Sequence, residues 1–78
     1  MQRFIVNLNS INKIKEFSKD ISTFESDIDV VSGRYVIDAK SIMGLFSLDL
    51  SKPVPIVIHS DDDSELERFS KVMKNYEV

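Results

Sequence analysis

The sequence predicts an α+β protein, an open-faced β-sandwich in which a four-stranded antiparallel sheet carries three helices on one face. Four short segments alternate apolar and polar residues, which is typical of strands with one buried face. Two longer segments repeat apolar residues every three or four positions, which indicates amphipathic helices, and a third helix is short. In the order βαββαβα, one antiparallel sheet with every helix on the same side buries all of these faces economically.

Size and composition limit the possible functions. The 78 residues predict one domain spanning residues 1–78, and 42% hydrophobic with 29% charged residues is typical of a globular chain rather than a disordered one. The absence of cysteine excludes a disulfide framework and a thiolate-bound metal. We expect a cytoplasmic protein, because no segment has the features of a signal peptide or of a membrane span. A net charge of -3 without a clustered basic face argues against nucleic acid as a partner.

The first strand and the first long helix are predicted between residues 3 and 22. Phe4, Val6 and Leu8 share one face of the strand. Ser10 is suited to cap a helix that runs to about Ser22, because its hydroxyl can accept from the free amides of the first turn. The apolar stripe of this helix is predicted to consist of Ile11, Ile14, Phe17 and Ile21.

A hairpin and a short helix are predicted in the middle of the chain. Asp27–Ser32 and Tyr35–Asp38 have strand patterns, and a turn at Gly33 separates them. Ile42–Leu48 suits a short helix capped by Ser41.

The last strand and the last helix complete the predicted order. Pro53 and Pro55 bracket a strand over Val54–Ile58, and proline is tolerated at the start or edge of a sheet strand. Ser60 and Asp61–Asp63 are predicted to cap the final helix and to offset its dipole. The apolar stripe of this helix is predicted to consist of Leu66, Phe69, Met73 and Tyr76.

The short helix carries more apolar side chains than one sheet can cover. Leu45 and Leu48, three positions apart, are expected to face inward, while Ile42, Met43 and Phe46 share the other side. Three exposed large side chains suggest a docking patch, although burial against a loop or in a dimer is the alternative. Two basic residues are expected to rim the patch: Lys40 and Arg34.

With Lys40–Leu48 (KSIMGLFSL) between the third and fourth strands, the chain resembles HPr, the histidine-containing phosphocarrier of the bacterial phosphoenolpyruvate-dependent sugar phosphotransferase system (PTS). The resemblance covers the whole chain in element order and is specific in residues from Asp27 to Leu50. It implies that Ser41 matches the regulatory serine phosphorylated by HPr kinase in Gram-positive bacteria. It also implies that Ile42, Met43 and Phe46 match the family's exposed docking patch.

The resemblance fails at the residue that carries the phosphoryl group. HPr proteins open their first long helix with a run like Gly-Leu-His-Ala-Arg-Pro, whereas this chain reads Leu8-Asn9-Ser10-Ile11-Asn12-Lys13. Counting back from Ser41 without gaps places Ser10 at the histidine and Asn12 at the arginine. A serine phosphoester is too inert for a reversible relay, and an unassisted hydroxyl is a weak nucleophile near neutral pH. Asn12 lacks the planar charged fork with which arginine holds phosphate.

Two other candidate sites have ordinary structural explanations. His59 is the chain's only histidine and therefore the only substitute phosphoryl acceptor, but it ends a strand beside acidic residues that would repel a phosphoryl donor. The acidic run Asp61–Asp63 is a candidate magnesium site. Consecutive acids lack the alternate spacing of a calcium loop, however, and helix capping accounts for them. No metal or cofactor is expected.

The sequence-based hypothesis is therefore a non-catalytic, HPr-like binding or regulatory module that docks through its short second helix, with Ser41 as a possible switch. The expected partner is a protein: a PTS component, HPr kinase or a transcriptional regulator. The expected state is a monomer or a weak homodimer. Two alternatives stay open, namely a phosphocarrier that uses His59 and a scaffold that retains only the fold.

Overall fold

The computed structural model describes all residues 1–78. Its elements follow the predicted order βαββαβα: β1 (Gln2–Val6), α1 (Ile11–Ile21), β2 (Asp27–Ser32), β3 (Tyr35–Asp38), α2 (Ile42–Phe46), β4 (Val54–His59) and α3 (Asp63–Met73). The strands form one sheet in the order β1-β4-β2-β3, and every neighbouring pair is antiparallel. The predicted fold class is confirmed.

Strand alternation divides the sheet into a core face and an open face. Ile28 lies opposite Ile58 and Val30 opposite Ile56, and all four side chains are fully buried. They belong to a single cluster of 17 buried hydrophobic residues. Each residue between them in sequence points to the other face of the sheet, as the two-residue period of a strand requires.

The two long helices cover the core face with aromatic side chains. Phe17 of α1 and Phe69 of α3 are both fully buried. The Phe69 ring packs edge-on against Phe4, with centroids 5.5 Å apart, and against Phe24 at 5.2 Å. The Phe17 ring packs in the same way against Tyr76 at 5.3 Å. Such edge-to-face pairs add about 0.5–1.5 kcal/mol each to the gain from burial.

Several element boundaries differ from the predicted ones, each for a local reason. The first strand ends at Val6 rather than Leu8, because the Asn7 amide donates to the Tyr76 carbonyl instead of continuing the ladder. The short helix ends at Phe46 rather than Leu48, because the Ser47 hydroxyl donates to the Gly44 carbonyl and closes the last turn.

The start of α3 is also corrected. Asp62 is its cap, since one carboxylate oxygen accepts from the amides of Ser64 and Glu65. Ser60 is buried instead, and its hydroxyl accepts from the Asp62 amide at 3.1 Å. None of the helices combines the length and apolar character that a bilayer-spanning helix requires.

The backbone geometry favours glycine at two positions. Gly33 has a φ of 60° in the hairpin turn, a conformation that favours glycine. At Gly44 an added Cβ atom would lie 2.8 Å from Cγ2 of Ile37. The second glycine therefore lets α2 lie close against β3, and this approach fixes the position of the short helix.

Candidate docking site

The short helix α2 presents one side to the core and another to solvent. Leu45 is fully buried, whereas Met43 is 77% exposed and Phe46 is 43% exposed. Ile42 does not share this exposure: it is half-buried and packs against the core cluster. The expectation that Ile42 lies on the exposed patch is therefore corrected, because the first turn of α2 sits close against the sheet and turns this side chain inward.

An apolar groove of about 260 Å³ separates α2 from the start of α1. Its lining includes Ile11 and Ile14 of α1 and Leu45 and Phe46 of α2. Ile11 was assigned by periodicity to the buried stripe of α1, but it is 61% exposed. We call Ile11, Met43 and Phe46 together the docking face.

Ile11 shows what sequence periodicity leaves undecided. It lies three residues before Ile14, which is buried, so spacing alone places both on one stripe. Ile11 is the first residue of α1 and lies at the edge of the core, so no preceding helical turn packs over its side chain. Its position directly after the helix cap was the one signal in the sequence for this exposure.

Ser10 lies at the mouth of α1, beside the groove. Its hydroxyl accepts from the Lys13 amide at 3.1 Å, so it caps the helix as predicted. The ten residues that line the groove include Ser10 and Ser51 but no imidazole, guanidinium or ammonium group. The groove therefore offers apolar contact area and hydroxyl groups, and its lining has no side chain with positive charge.

Ser41 is the cap of α2, again as predicted. Its hydroxyl accepts from the Gly44 amide at 3.3 Å, and its side chain is exposed. The backbone amide of Ser41 donates to the Asp38 carbonyl at 3.0 Å, which fixes the chain between β3 and α2. The hydroxyl is thus accessible, and it stands two residues before Met43.

The two basic residues expected at the rim of the patch have other surroundings. The ammonium of Lys40 is half-buried and donates to the Phe24 carbonyl at 2.6 Å, where it fixes the loop after α1. Arg34 lies in the hairpin turn, at the opposite end of β3 from Ser41. The positive charge that shares a helix face with Ile11 comes instead from Lys15, four residues later and exposed.

His59 lies far from the groove. Since Gln2 pairs with Ile58 and Val6 with Val54, the histidine is at the end of the sheet where β1 begins, while Ser10 follows the other end. Its Nε2 atom lies 2.7 Å from Oδ2 of Asp29. His59 also borders a polar cleft whose lining includes Asp61 and Asp62. The cleft also contains one cation, Arg68, whose guanidinium lies 4.9 Å from the centre of the Phe24 ring, so acidic side chains outnumber basic ones around the only imidazole of the chain.

Glu65 is a buried acid that the sequence pattern did not reveal. It accepts hydrogen bonds from the hydroxyl and the amide of Ser26, and these bonds, the hydroxyl first, lower its pKa below the ordinary value in spite of burial. Ser60 also lowers this pKa by hydrogen bonding. Glu65 thereby joins α3 to the loop between α1 and β2.

No group of three or more acidic, histidine or cysteine side chains is placed to hold a metal ion.

Fold and site together define a small open-faced α+β protein with exposed apolar side chains at the start of its first helix and on its short second helix. A sequence model of the family described as "PTS HPr component phosphorylation site" matches residues 6–75. The chain belongs to the PTS HPr family.

Comparison with solved structures agrees on the fold. The crystal structure of HPr-C-His from Thermoanaerobacter tengcongensis superimposes with a TM-score of 0.74 at 22% identity, covering 96% of this chain and 93% of that one. No curated protein matches the chain.

Proposed function

We propose that this HPr-family chain is a PTS-related binding or regulatory module that docks protein partners through its docking face and does not itself relay phosphoryl groups. The observation that carries the proposal is at the mouth of α1. There a helix-capping serine, Ser10, stands beside an apolar groove whose lining contains no imidazole and no cationic side chain.

The chemistry of the relay supports this proposal. A carrier accepts a phosphoryl group and returns it at similar energy, which an imidazole nitrogen allows through its high-energy N–P bond. The Ser10 hydroxyl has no general base as its hydrogen-bond partner, because its partner is the Lys13 amide, which donates to it. No planar cation stands nearby to stabilise the transferred group, because Asn12 takes the place expected for arginine.

Docking is supported by the composition of the exposed surface. Met43 and Ile11 are each more than half exposed, and Phe46 is 43% exposed, although all three are large and apolar. This exposed apolar cluster supports a contact site for another protein. Lys15 beside Ile11 favours a partner with acidic residues around an apolar pocket.

Phosphorylation of Ser41 is the proposed switch. A phosphate on the exposed hydroxyl would add about two negative charges two residues from Met43. These charges would repel an acidic partner and favour a partner with an arginine cluster. A PTS component, HPr kinase and a transcriptional regulator are the proposed classes of partner.

A phosphocarrier that uses His59 is the second candidate function, since the family relays phosphoryl groups and this is the only histidine. Asp29 at 2.7 Å and the nearby Asp61 and Asp62 weigh against it, because acids outnumber the single cation of the cleft, Arg68, and net negative charge opposes the approach of a phosphoryl donor. A scaffold that retains only the fold is the third.

Phosphoryl acceptance separates the three candidates. The protein is incubated with phosphoenolpyruvate and the first enzyme of the PTS, and in parallel with ATP and HPr kinase, and added phosphate is located by mass spectrometry. We expect no acid-labile phosphate in the first reaction and acid-stable phosphate on Ser41 in the second. Acid-labile phosphate on His59 would contradict the proposal, and the absence of phosphate in both reactions would favour a scaffold.

Docking is tested by placing a charge on the docking face. We expect Phe46→Asp to abolish capture of PTS proteins or transcriptional regulators, because a carboxylate in the centre of an apolar contact costs several kcal/mol. Tyr35→Asp is the matched control, since Tyr35 is 65% exposed at the hairpin end of β3, away from α2. Equal capture by both variants and the unaltered chain would remove the docking claim.

A further inference from the structure

The open face of the sheet carries an apolar row across all four strands. Ile5 of β1 lies opposite Pro55 of β4, and Val31 of β2 lies opposite Val36 of β3. Because Val30 pairs with Ile56, the same register places Pro55 beside Val31. Ile5 is 41% exposed and Val36 is 65% exposed, so solvent reaches both ends of the row.

Charged residues flank this row in a fixed order. The next row of the open face runs from Arg3 on β1 through Val57 and Asp29 to Asp38 on β3. Its positive end therefore lies on one edge of the sheet and its negative end on the other. One row further, His59 of β4 lies opposite Asp27 of β2.

Two carboxylates stand side by side within the charged row. Asp29 and Asp38 are directly paired across β2 and β3, an arrangement of like charges that destabilises a sheet. Asp29 has a hydrogen-bond partner in His59, whose Nε2 lies 2.7 Å from its Oδ2. Asp38 accepts from the Lys40 amide at 2.9 Å, but no cationic side chain contacts it.

We propose that a second copy of this chain covers the open face, forming a two-fold dimer of stacked sheets whose axis runs parallel to the strands between β4 and β2. This axis places β1 of one protomer over β3 of the other while it keeps each row at the same height. Ile5 of each protomer then packs on Val36 of the other, and Pro55 packs on Val31. The strand directions of the two sheets stay within about 30°, as in aligned β-sandwiches.

Charge complementarity favours a second copy of this chain as the partner that covers the open face. The same axis places Arg3 of each protomer over Asp38 of the other, which supplies the cation that Asp38 lacks within its own chain. It also places His59 over Asp27. In the same row Val57 lies over Asp29, so the charge complementarity of the face comes from its two Arg3–Asp38 pairs, while the apolar row packs on itself as a two-fold interface requires.

The area of the face predicts a weak dimer. Strands about 4.8 Å apart and rising about 3.3 Å per residue give a face roughly 19 Å by 18 Å. Two such faces cover roughly 700 Å², below the roughly 1,200 Å² at which standard specific interfaces begin, so only weak association, with a dissociation constant on the order of 100 µM, is expected. The dimer leaves the docking face free, because that face lies on the helical side of the sheet.

Sedimentation equilibrium tests the proposal over protein concentrations from about 10 µM to about 1 mM, a range that brackets the expected dissociation constant. We expect a monomer–dimer equilibrium. Arg3→Asp and Asp38→Arg should each weaken it at least about tenfold, because each places like charges together twice in the interface. The double variant Arg3→Asp/Asp38→Arg should return to within about threefold of the unaltered chain, because it restores both ion pairs with reversed sign.

Two further variants distinguish this face from others. Val36→Lys should abolish the dimer, whereas Met43→Lys, a matched exposed residue on α2, should leave it unchanged. Thermal unfolding of each variant checks that the fold is retained. A monomer at every concentration would overturn the proposal, as would a dimer lost in Met43→Lys but kept in Val36→Lys, or a double variant no stronger than its singles.

Discussion

At the scale of single residues, the proposed function depends on one side chain at the start of α1. Ser10 satisfies the Lys13 amide, a capping bond worth about 1 kcal/mol to the helix. A histidine in place of Ser10 would cap the helix less well, but its imidazole would be a nucleophile that forms a labile phosphoryl bond. Serine rather than histidine at this position therefore favours helix stability over phosphoryl transfer, within the same fold.

This exchange is reversible in our proposal. We expect Ser10→His combined with Asn12→Arg to accept acid-labile phosphate from phosphoenolpyruvate and the first enzyme of the PTS, because it supplies both the nucleophile and the planar cation. Mass spectrometry of the intact and acid-treated protein measures the phosphate. The control, Ser10→Ala with Asn12→Arg, lacks the nucleophile and should stay unmodified. If the folded Ser10→His/Asn12→Arg variant also stays unmodified, then more than these two side chains separates this chain from a carrier.

At the scale of elements, the helical conformation of α2 depends on contacts with the rest of the protein. Its five residues are too few for a stable isolated helix. The Ser41 cap, the buried Leu45 and the close approach of Gly44 to Ile37 hold it in place. Met43 and Phe46 are thus presented by a helix that the sheet positions, which keeps the docking face in one conformation.

The last helix is held at both ends by polar contacts. Glu65 in its first turns bonds to Ser26, and the Tyr76 hydroxyl just beyond its end donates to Asp20 of α1 at 2.7 Å. Burial, and then this bond to Asp20, raise the pKa of Tyr76, so the phenol stays protonated throughout the neutral range. The contact at Glu65 responds to acid.

Acid is expected to loosen α3 through Glu65. Because its pKa is lower in the folded than in the unfolded chain, its stabilising effect is complete above its unfolded value of about 4.5 and is lost as pH falls through the lower folded value. The thermal unfolding midpoint should therefore fall on acidification below about pH 4.5, and less steeply in Glu65→Gln. Glu67→Gln, an exposed neighbour, is the control and should keep the slope of the unaltered chain. Identical slopes in all three proteins would contradict this role for Glu65.

At the scale of the whole molecule, the open-faced architecture leaves two independent surfaces. One is the docking face on the helical side, and the other is the apolar row across the sheet. β1 and β3 are the outer strands of the sheet. The edge of β1 is partly covered by the end of the chain, where Glu77 bridges to Val6 and the Val78 amide donates to Ile5 at 3.3 Å. Our two proposals can therefore both hold, because a partner on the helices and a second copy on the sheet do not compete.

The amino-acid sequence by itself determined the order of the elements, the core face of β1, the capping roles of Ser10 and Ser41, and the presence of a hydroxyl group at the start of α1. These features depend on local periodicity and on single side-chain chemistry, which neighbouring residues specify. Only the tertiary structure decided that Ile42 turns inward, that Ile11 joins Phe46 at one groove, and that His59 pairs with Asp29. It also decided that Ile5, Pro55, Val31 and Val36 form one row. Periodicity assigns a residue to a face, but the register between strands distant in sequence chooses its neighbours.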